Sequence, residues 1–235
     1  MYNTPVIILV APQLAENIGS VARVMSNFDF EDLRIVSPRD GWPPSEIAHS
    51  MAAKGSYILD NAVVYDDIES ASYDLNFLVA MTARSRYMEK IVKTPKDIVK
   101  YCEDNSATKV GFLFGRENNG LTNEELGYAD MLSVISTSEK NKSLNLAQAV
   151  SIVAYEFYNN INILGSNKEN TLSTKGHFVQ FFNKFIHLLE SKEYFPNSEI
   201  KETMIQNLKN TFVKSQLTTQ EVNTLMGIVK LLSKN

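Results

Sequence analysis

Short, nearly continuous apolar runs recur along the first 160 positions, at Val6 to Ala11, Leu33 to Ser37, Leu75 to Ala80, Val110 to Phe114 and Met131 to Ile135, with a weaker one at Ala62 to Tyr65. Runs of this length and density predict strands buried on both faces. Helical spacing fills the gaps. Ile18, Val21, Ala22, Met25 and Phe28 recur at intervals of three and four, which predicts an amphipathic helix over about 17–28. Thr94 followed by Pro95 predicts the cap and first turn of a helix reaching about Glu103. Thr122 with Glu125 predicts a capping box, and Leu144, Ala147, Val150, Ser151, Ala154, Phe157 and Tyr158 mark one face of a longer helix. Strands alternating with helices predict an α/β fold with a mostly parallel sheet covered on both sides.

The pattern changes beyond Ile161. Asn, Ser, Thr, Lys, Glu and Gly dominate as far as Gly176, and then the periodicity is purely helical. Phe178, Phe181, Phe182, Phe185, Leu188 and Leu189 form one stripe, and Leu208 with Phe212 belongs to a second helix. A third helix starts at Thr218, where Glu221 completes a capping pattern, and continues through Val222, Leu225, Met226, Val229 and Leu232. The expected organisation is a core over 1–161, a linker over 162–176 and a C-terminal helical extension over 177–235. About 60 residues form only a small unit, so the extension is expected to pack on the core or on a partner.

Composition narrows the function classes. A single cysteine, Cys102, excludes an internal disulfide framework and a cysteine-rich metal site, and its helical context predicts a core position. His49, His177 and His187 do not have the spacing of a metal-ligand cluster. The opening residues lack a basic leader, and no apolar run approaches the roughly 20 residues that cross a bilayer. The expected setting is therefore cytoplasmic. The net charge of -4 is unevenly distributed: residues 1–165 hold 14 Lys and Arg against 21 Asp and Glu, while residues 166–235 hold nine against six. A polyanion partner would need a local positive face built from chosen arginines or the tail.

Three polar segments fall where strands pass into helices, the usual ligand edge of an open α/β sheet. The first is Asn17-Ile18-Gly19-Ser20-Val21-Ala22-Arg23, in which Arg23 can hold a phosphate bidentately or simply face solvent. The second is Phe114-Gly115-Arg116-Glu117-Asn118-Asn119-Gly120-Leu121. Here Gly115 permits close approach to the backbone, Gly120 permits a turn with positive φ, and Arg116 and Glu117 can pair or orient a substrate. The third runs from Ser138 to Ala147, where Ser143 and Asn145 can cap a helix or meet a ligand. The spacing fits neither Gly-x-Gly-x-x-Gly nor the Walker sequence, so a dinucleotide oxidoreductase or a P-loop enzyme is poorly supported.

Together these segments resemble the motifs of the SPOUT superfamily of RNA methyltransferases, and specifically its transfer-RNA 2'-O-methyltransferase branch. Asn-x-Gly-Ser-x-Ala-Arg stands at 17–23, Phe-Gly-Arg-Glu-x-x-Gly-Leu-Thr-Asn-Glu-Glu-Leu at 114–126 and Ser-Leu-Asn-Leu-Ala-x-Ala-Val at 143–150. Ala83-Arg84-Ser85-Arg86 is similar to the family as well, and the likeness covers about residues 5 to 160 in consistent order. The chain departs from the pattern at Asp29, where the family usually has glycine; aspartate tolerates a left-handed turn better than most residues.

The resemblance implies a deep trefoil knot in the core and a homodimer whose active sites draw on both subunits. It implies S-adenosyl-L-methionine as methyl donor, with no metal required, because the sulfonium already activates the methyl group. Cofactor contacts are carried onto Met81, Thr82, Ala83, Gly115, Ile135, Lys142, Ser143 and Leu144, many through the backbone. The implied substrate is the ribose 2'-hydroxyl of cytidine or uridine 32 in tRNA. Arg23 matches the family's catalytic arginine, and its permanent charge suits positioning and electrostatic stabilisation better than proton removal. Asn17 and Glu117 are expected to fix the loops around it. Arg84, Arg86 and Arg116 are candidates for phosphate contacts, and Asn145 for substrate or loop contacts. The alternatives are the same chemistry on another tRNA position or rRNA, or an RNA-binding scaffold that keeps the fold without the reaction.

Overall fold

The computed structural model describes residues 4–83, 90–104, 109–160, 172–196 and 198–233. Among them, seven parallel strands form one sheet: β1 (Val6–Val10), β2 (Leu33–Val36), β3 (Val63–Tyr65), β4 (Phe77–Met81), β5 (Val92–Lys93), β6 (Val110–Phe114) and β7 (Met131–Ser133). Their order is β3-β2-β1-β6-β4-β7-β5. Chain order reverses between β1 and β6, which pair through Ile7 with Phe112 and Leu9 with Phe114. In open α/β sheets ligands commonly bind beyond the carboxyl ends of strands near such a reversal.

Alternate residues of the central strands enter separate cores. Ile7, Leu9, Phe77, Val79 and Phe112 face one side, packing against α1 (Ala15–Asn27), α5 (Pro95–Asp104) and α7 (Leu146–Asn160). Val6, Ile8, Val10, Leu78 and Leu113 face the other, against α4 (Ile68–Ser72) and α6 (Asn123–Gly127). This double burial explains why the strands read as continuous apolar runs rather than as alternating ones. Each fully buried Phe or Leu contributes on the order of 2 kcal/mol by transfer from water. Cys102 lies in the first core, where burial pushes its thiol well up.

Two short helices, α2 (Glu46–Ala52) and α3 (Ser56–Asn61), lie beside α1 and are joined by a turn at Ala53–Gly55. Asp29 adopts φ +57°, the left-handed conformation expected of it after α1. At the amino ends of the strands, Arg34 is almost fully buried and its guanidinium donates to Asp32, Asp74 and the Ala71 carbonyl.

The C-terminal helices are α8 (Lys175–Ser191), α9 (Ser198–Ser215) and α10 (Thr219–Leu232). Phe181, Phe182, Leu188, Val222 and Val229 form their own small core, with the Phe212 ring set edge-on to Phe181 at 5.2 Å. Both capping boxes expected from the sequence, Thr122 with Glu125 and Thr218 with Glu221, form reciprocally. Helix α8 begins at Lys175, ahead of the expected boundary, because the Thr174 side chain accepts from the His177 amide and starts it there. The extension docks on the core through Lys175, whose ammonium pairs with Asp130, and through the Asn76 amide, which donates to the Leu172 carbonyl. Lys90 adds a further cation nearby: its ammonium donates to the Leu126, Gly127 and Ala129 carbonyls, and burial pushes it down to about 8. No described helix is long and apolar enough to cross a membrane.

Candidate active site

The three polar segments converge at the carboxyl ends of β1, β6, β4 and β7. Glu117, just past β6, joins the first two. Its carboxylate accepts from the Gln13 and Leu14 amides, each at 3.1 Å, and from Asn17 Nδ2 at 3.0 Å. Asn17 in turn accepts at Oδ1 from Asn145 Nδ2, 2.8 Å away, which brings in the third segment. Asn145 Oδ1 then accepts from the Ala147 amide at 2.9 Å and caps α7, while Gln148 Oε1 takes the Asn145 amide. One run of hydrogen bonds thus ties loops that are separated by 100 and 128 positions in the chain. With three donors on its two oxygens, Glu117 is committed to loop geometry, as is Asn17.

Beside this network lies a cleft of about 600 Å³. Met81, Thr82 and Ala83 form one wall, Gly115 to Leu121 a second, and Ile135 with Glu139 to Leu144 a third. All eight positions proposed for the cofactor, Met81, Thr82, Ala83, Gly115, Ile135, Lys142, Ser143 and Leu144, therefore border a single space. The volume is that of a small-molecule site, and its walls combine apolar side chains with loop backbone. Thr82 is held in place by its amide, which donates to the Ser133 carbonyl at 3.0 Å.

The glycines in the second wall act differently from one another. Gly120 has φ +67°, as its turn requires. Gly115 was expected to leave room for a ligand, but the nearest claim on its space is the chain itself: an added Cβ would lie 2.2 Å from the Gly120 carbonyl carbon. The turn closes back on its own start, and any side chain there would force it open.

Arg116 also borders the cleft, yet its guanidinium pairs bidentately with Glu125 at 2.9 and 3.0 Å. Burial pushes the Glu125 carboxyl up, but Arg116 and the Thr122 amide more than offset this and hold it low. Glu125 was legible only as a capping residue; nothing in the local pattern pointed to its second partner nine positions upstream. A phosphate at Arg116 would have to share the guanidinium with Glu125. Arg84 and Arg86 lie outside the described residues. Arg23 is exposed on α1, forms no ion pair among the described residues and does not border the cleft. Among the described residues no group of three His, Cys, Asp or Glu is arranged to hold a metal ion.

Comparison with known proteins gives this arrangement a family. Residues 4–155 match the SpoU rRNA Methylase family. The chain is 34% identical over 237 residues to the tRNA (cytidine-2'-O-)-methyltransferase TrmJ of Methanocaldococcus jannaschii, covering 95% of this chain and 97% of that protein. It is 29% identical over 233 residues to the tRNA (cytidine/uridine-2'-O-)-methyltransferase TrmJ of Pectobacterium atrosepticum, covering 97% and 96%. Among solved structures, TrmJ from Z. mobilis ZM4 superposes with a TM-score of 0.86 at 32% identity, over 98% of this chain and 99% of that one. The likeness extends through the C-terminal helices as well as the sheet, and with more than half of the chain matched by the family, this protein belongs to the SpoU rRNA methylase family.

Proposed function

We propose that the protein transfers a methyl group from S-adenosyl-L-methionine to the ribose 2'-hydroxyl of cytidine or uridine in tRNA, at position 32 of the anticodon loop. The observation that carries this reading is that the second and third motifs line one cleft together with Met81 to Ala83, while the first is tied to them beside it through Asn17, Glu117 and Asn145. The names of the full-length relatives supply the substrate class.

The cleft fits the donor in size and in wall chemistry. Met81, Phe114, Ile135 and Leu144 offer apolar surface for a base, and the three loops offer backbone groups for its polar edges. The donor supplies a methyl group already activated by its sulfonium. The chain supplies position. Glu117 and Asn17 hold the loops, while Arg23 places a fixed positive charge against the substrate phosphate and orients the attacking hydroxyl. Arg84 and Arg86 are further phosphate contacts in this scheme, with Arg116 sharing Glu125.

Since Arg23 does not border the cleft of its own chain, the reading includes a homodimer in which Arg23 of one protomer serves the cleft of its partner. Exposed apolar side chains on the same group of helices support such a contact: Ile47 and Met51 on α2, and Tyr155 and Tyr158 on α7. The interleaved order β6-β4-β7-β5 supports a knotted path through the core. The division at 161 and 177 into core, linker and extension belongs to the same reading, as does a cytoplasmic site of action.

The deciding experiment is transfer of labelled methyl groups to unmodified tRNA transcripts, with mass-spectrometric mapping and sedimentation of the enzyme. A 2'-O-methyl group at nucleotide 32 from a dimeric enzyme is expected. Cofactor binding without transfer to any tRNA would overturn the substrate assignment, and an active monomer would overturn the shared site.

A further inference from the structure

The turn between α2 and α3 brings a second cation to Arg23. Ala53 takes φ +50°, which bends the chain back toward α1. Gly55 then lies so close to that helix that an added Cβ would stand 2.6 Å from the Ala22 carbonyl oxygen and 3.1 Å from Arg23 Cα. With consecutive Cα atoms about 3.8 Å apart, Lys54 Cα is within about 8.5 Å of Arg23 Cα. Both side chains are exposed. Two such long side chains reach a single anion, or two neighbouring ones, from that separation.

Neither cation is neutralised locally among the described residues, a property they share with Lys93, Lys96, Lys100 and Lys140; their nearness to one another is what distinguishes them. Arg34, Arg39, Arg116, Lys109 and Lys142 each meet a carboxylate. Arg23 and Lys54 meet none among the described residues, and Asp60, on the helix that follows Lys54, is taken by His49. Two exposed cations on neighbouring backbone present a combined positive field to an anion that approaches this face.

We infer that Lys54 is a second phosphate-binding residue, acting with Arg23 on the RNA backbone beside the methylated nucleotide. The inference rests on the reading of the chain as an RNA ribose methyltransferase. Lys54 contributes ground-state binding to a backbone phosphate, and Arg23 acts where the hydroxyl reacts. Base identity is outside its reach, since phosphate contacts position the strand without reading it.

The test compares wild type, Lys54→Ala, Lys54→Arg and, as an exposed control on α5, Lys96→Ala, in RNA binding across a salt series and in steady-state transfer to an unmodified tRNA transcript. For Lys54→Ala, the KM for RNA should rise roughly five- to tenfold at low salt with kcat within about twofold, and the slope of log Kd against log salt should fall by about 0.7 to 1. Lys54→Arg should restore both, and Lys96→Ala should change neither. A Lys54→Ala enzyme with the wild-type KM and salt slope overturns the inference and leaves the methyltransferase reading intact. A wild-type protein that transfers nothing, but whose RNA binding still loses salt slope on Lys54→Ala, overturns that reading and keeps the phosphate site. Unchanged thermal melting of Lys54→Ala excludes a merely structural role.

Discussion

At the carboxyl ends of β1 and β6, the Glu117 carboxylate is spent on amides of its own unit, whereas Asp130 takes an ammonium from Lys175 at the start of the C-terminal helices. Both acids are largely saturated, and Asp130 also accepts from the Leu78 amide at 2.7 Å. The difference lies in what each one holds. Glu117 fixes loops against a sheet that is buried on both faces, so its hydrogen bonds act on a rigid frame. Asp130 fixes one packed unit to another whose own core is small. The first cluster joins loops beside the cleft, and the second joins the C-terminal helices to the sheet.

That contrast breaks down or sharpens under mutation. Arg23→Ala should have the largest effect on transfer, lowering single-turnover rates by about 100-fold or more while cofactor affinity and melting stay unchanged. Near-normal rates from a folded variant would remove Arg23 from the reaction. Glu117→Gln comes next. It swaps an acceptor oxygen for a donor among three donors, so transfer should drop by roughly tenfold and stability by about 1–3 kcal/mol. Equilibrium unfolding and initial rates measured on one preparation would show whether both fall together, as a positioning role demands. Lys175→Met leaves Asp130 buried without its cation and should cost about 3 kcal/mol, with only a small change in turnover on saturating RNA. Limited proteolysis should then release the helical extension first, and simultaneous loss of the core would contradict the division into two units.

The smallest effect expected is on acid stability. Arg34, with Lys109, holds the Asp74 carboxyl well below the usual carboxylate range, while the guanidinium keeps its charge throughout. The unfolded chain therefore takes up this proton first as the pH falls below about 4. The contribution is fully present above that pH and is lost progressively below it. Replacing Arg34 by Met should flatten this part of the acid limb in a denaturant-midpoint series, and an unchanged limb would dismiss the pair as its source.

Strands β1, β2, β4, β6 and β7 were legible because burial on both faces writes an apolar residue at nearly every position. Helices α1, α5 and α7 were legible from their spacing, and the capping boxes from Thr and Glu three apart. Helices α2 and α3 were not. They bury mainly Ala48, Ala52, Ile58 and Leu59, while Ile47, Met51 and Tyr57 face outward, so the apolar stripe is blurred. Strand β5 has only two residues and sits at an edge with Val92 exposed, which leaves no periodicity to read. In the site, residue types and motif order were visible in the chain, but the Glu117 to Asn145 connection was not. Hydrogen bonds across 100 and more positions are settled by strand order, which no local pattern encodes.

The side-chain run from Asn145 through Asn17 to Glu117 also has a sense: each amide gives its hydrogens forward, and the last acceptor is an anion. Exchanging a single NH2 for oxygen at Asn17, as slow amide hydrolysis does when a protein ages or is kept warm, would set two carboxylates face to face and break the run at its last link. The volume of the residue would hardly change and the sheet would stay folded, yet the loops around the cleft would lose their common register. Old protein of this kind would pass as intact by size while being a poorer and less stable enzyme.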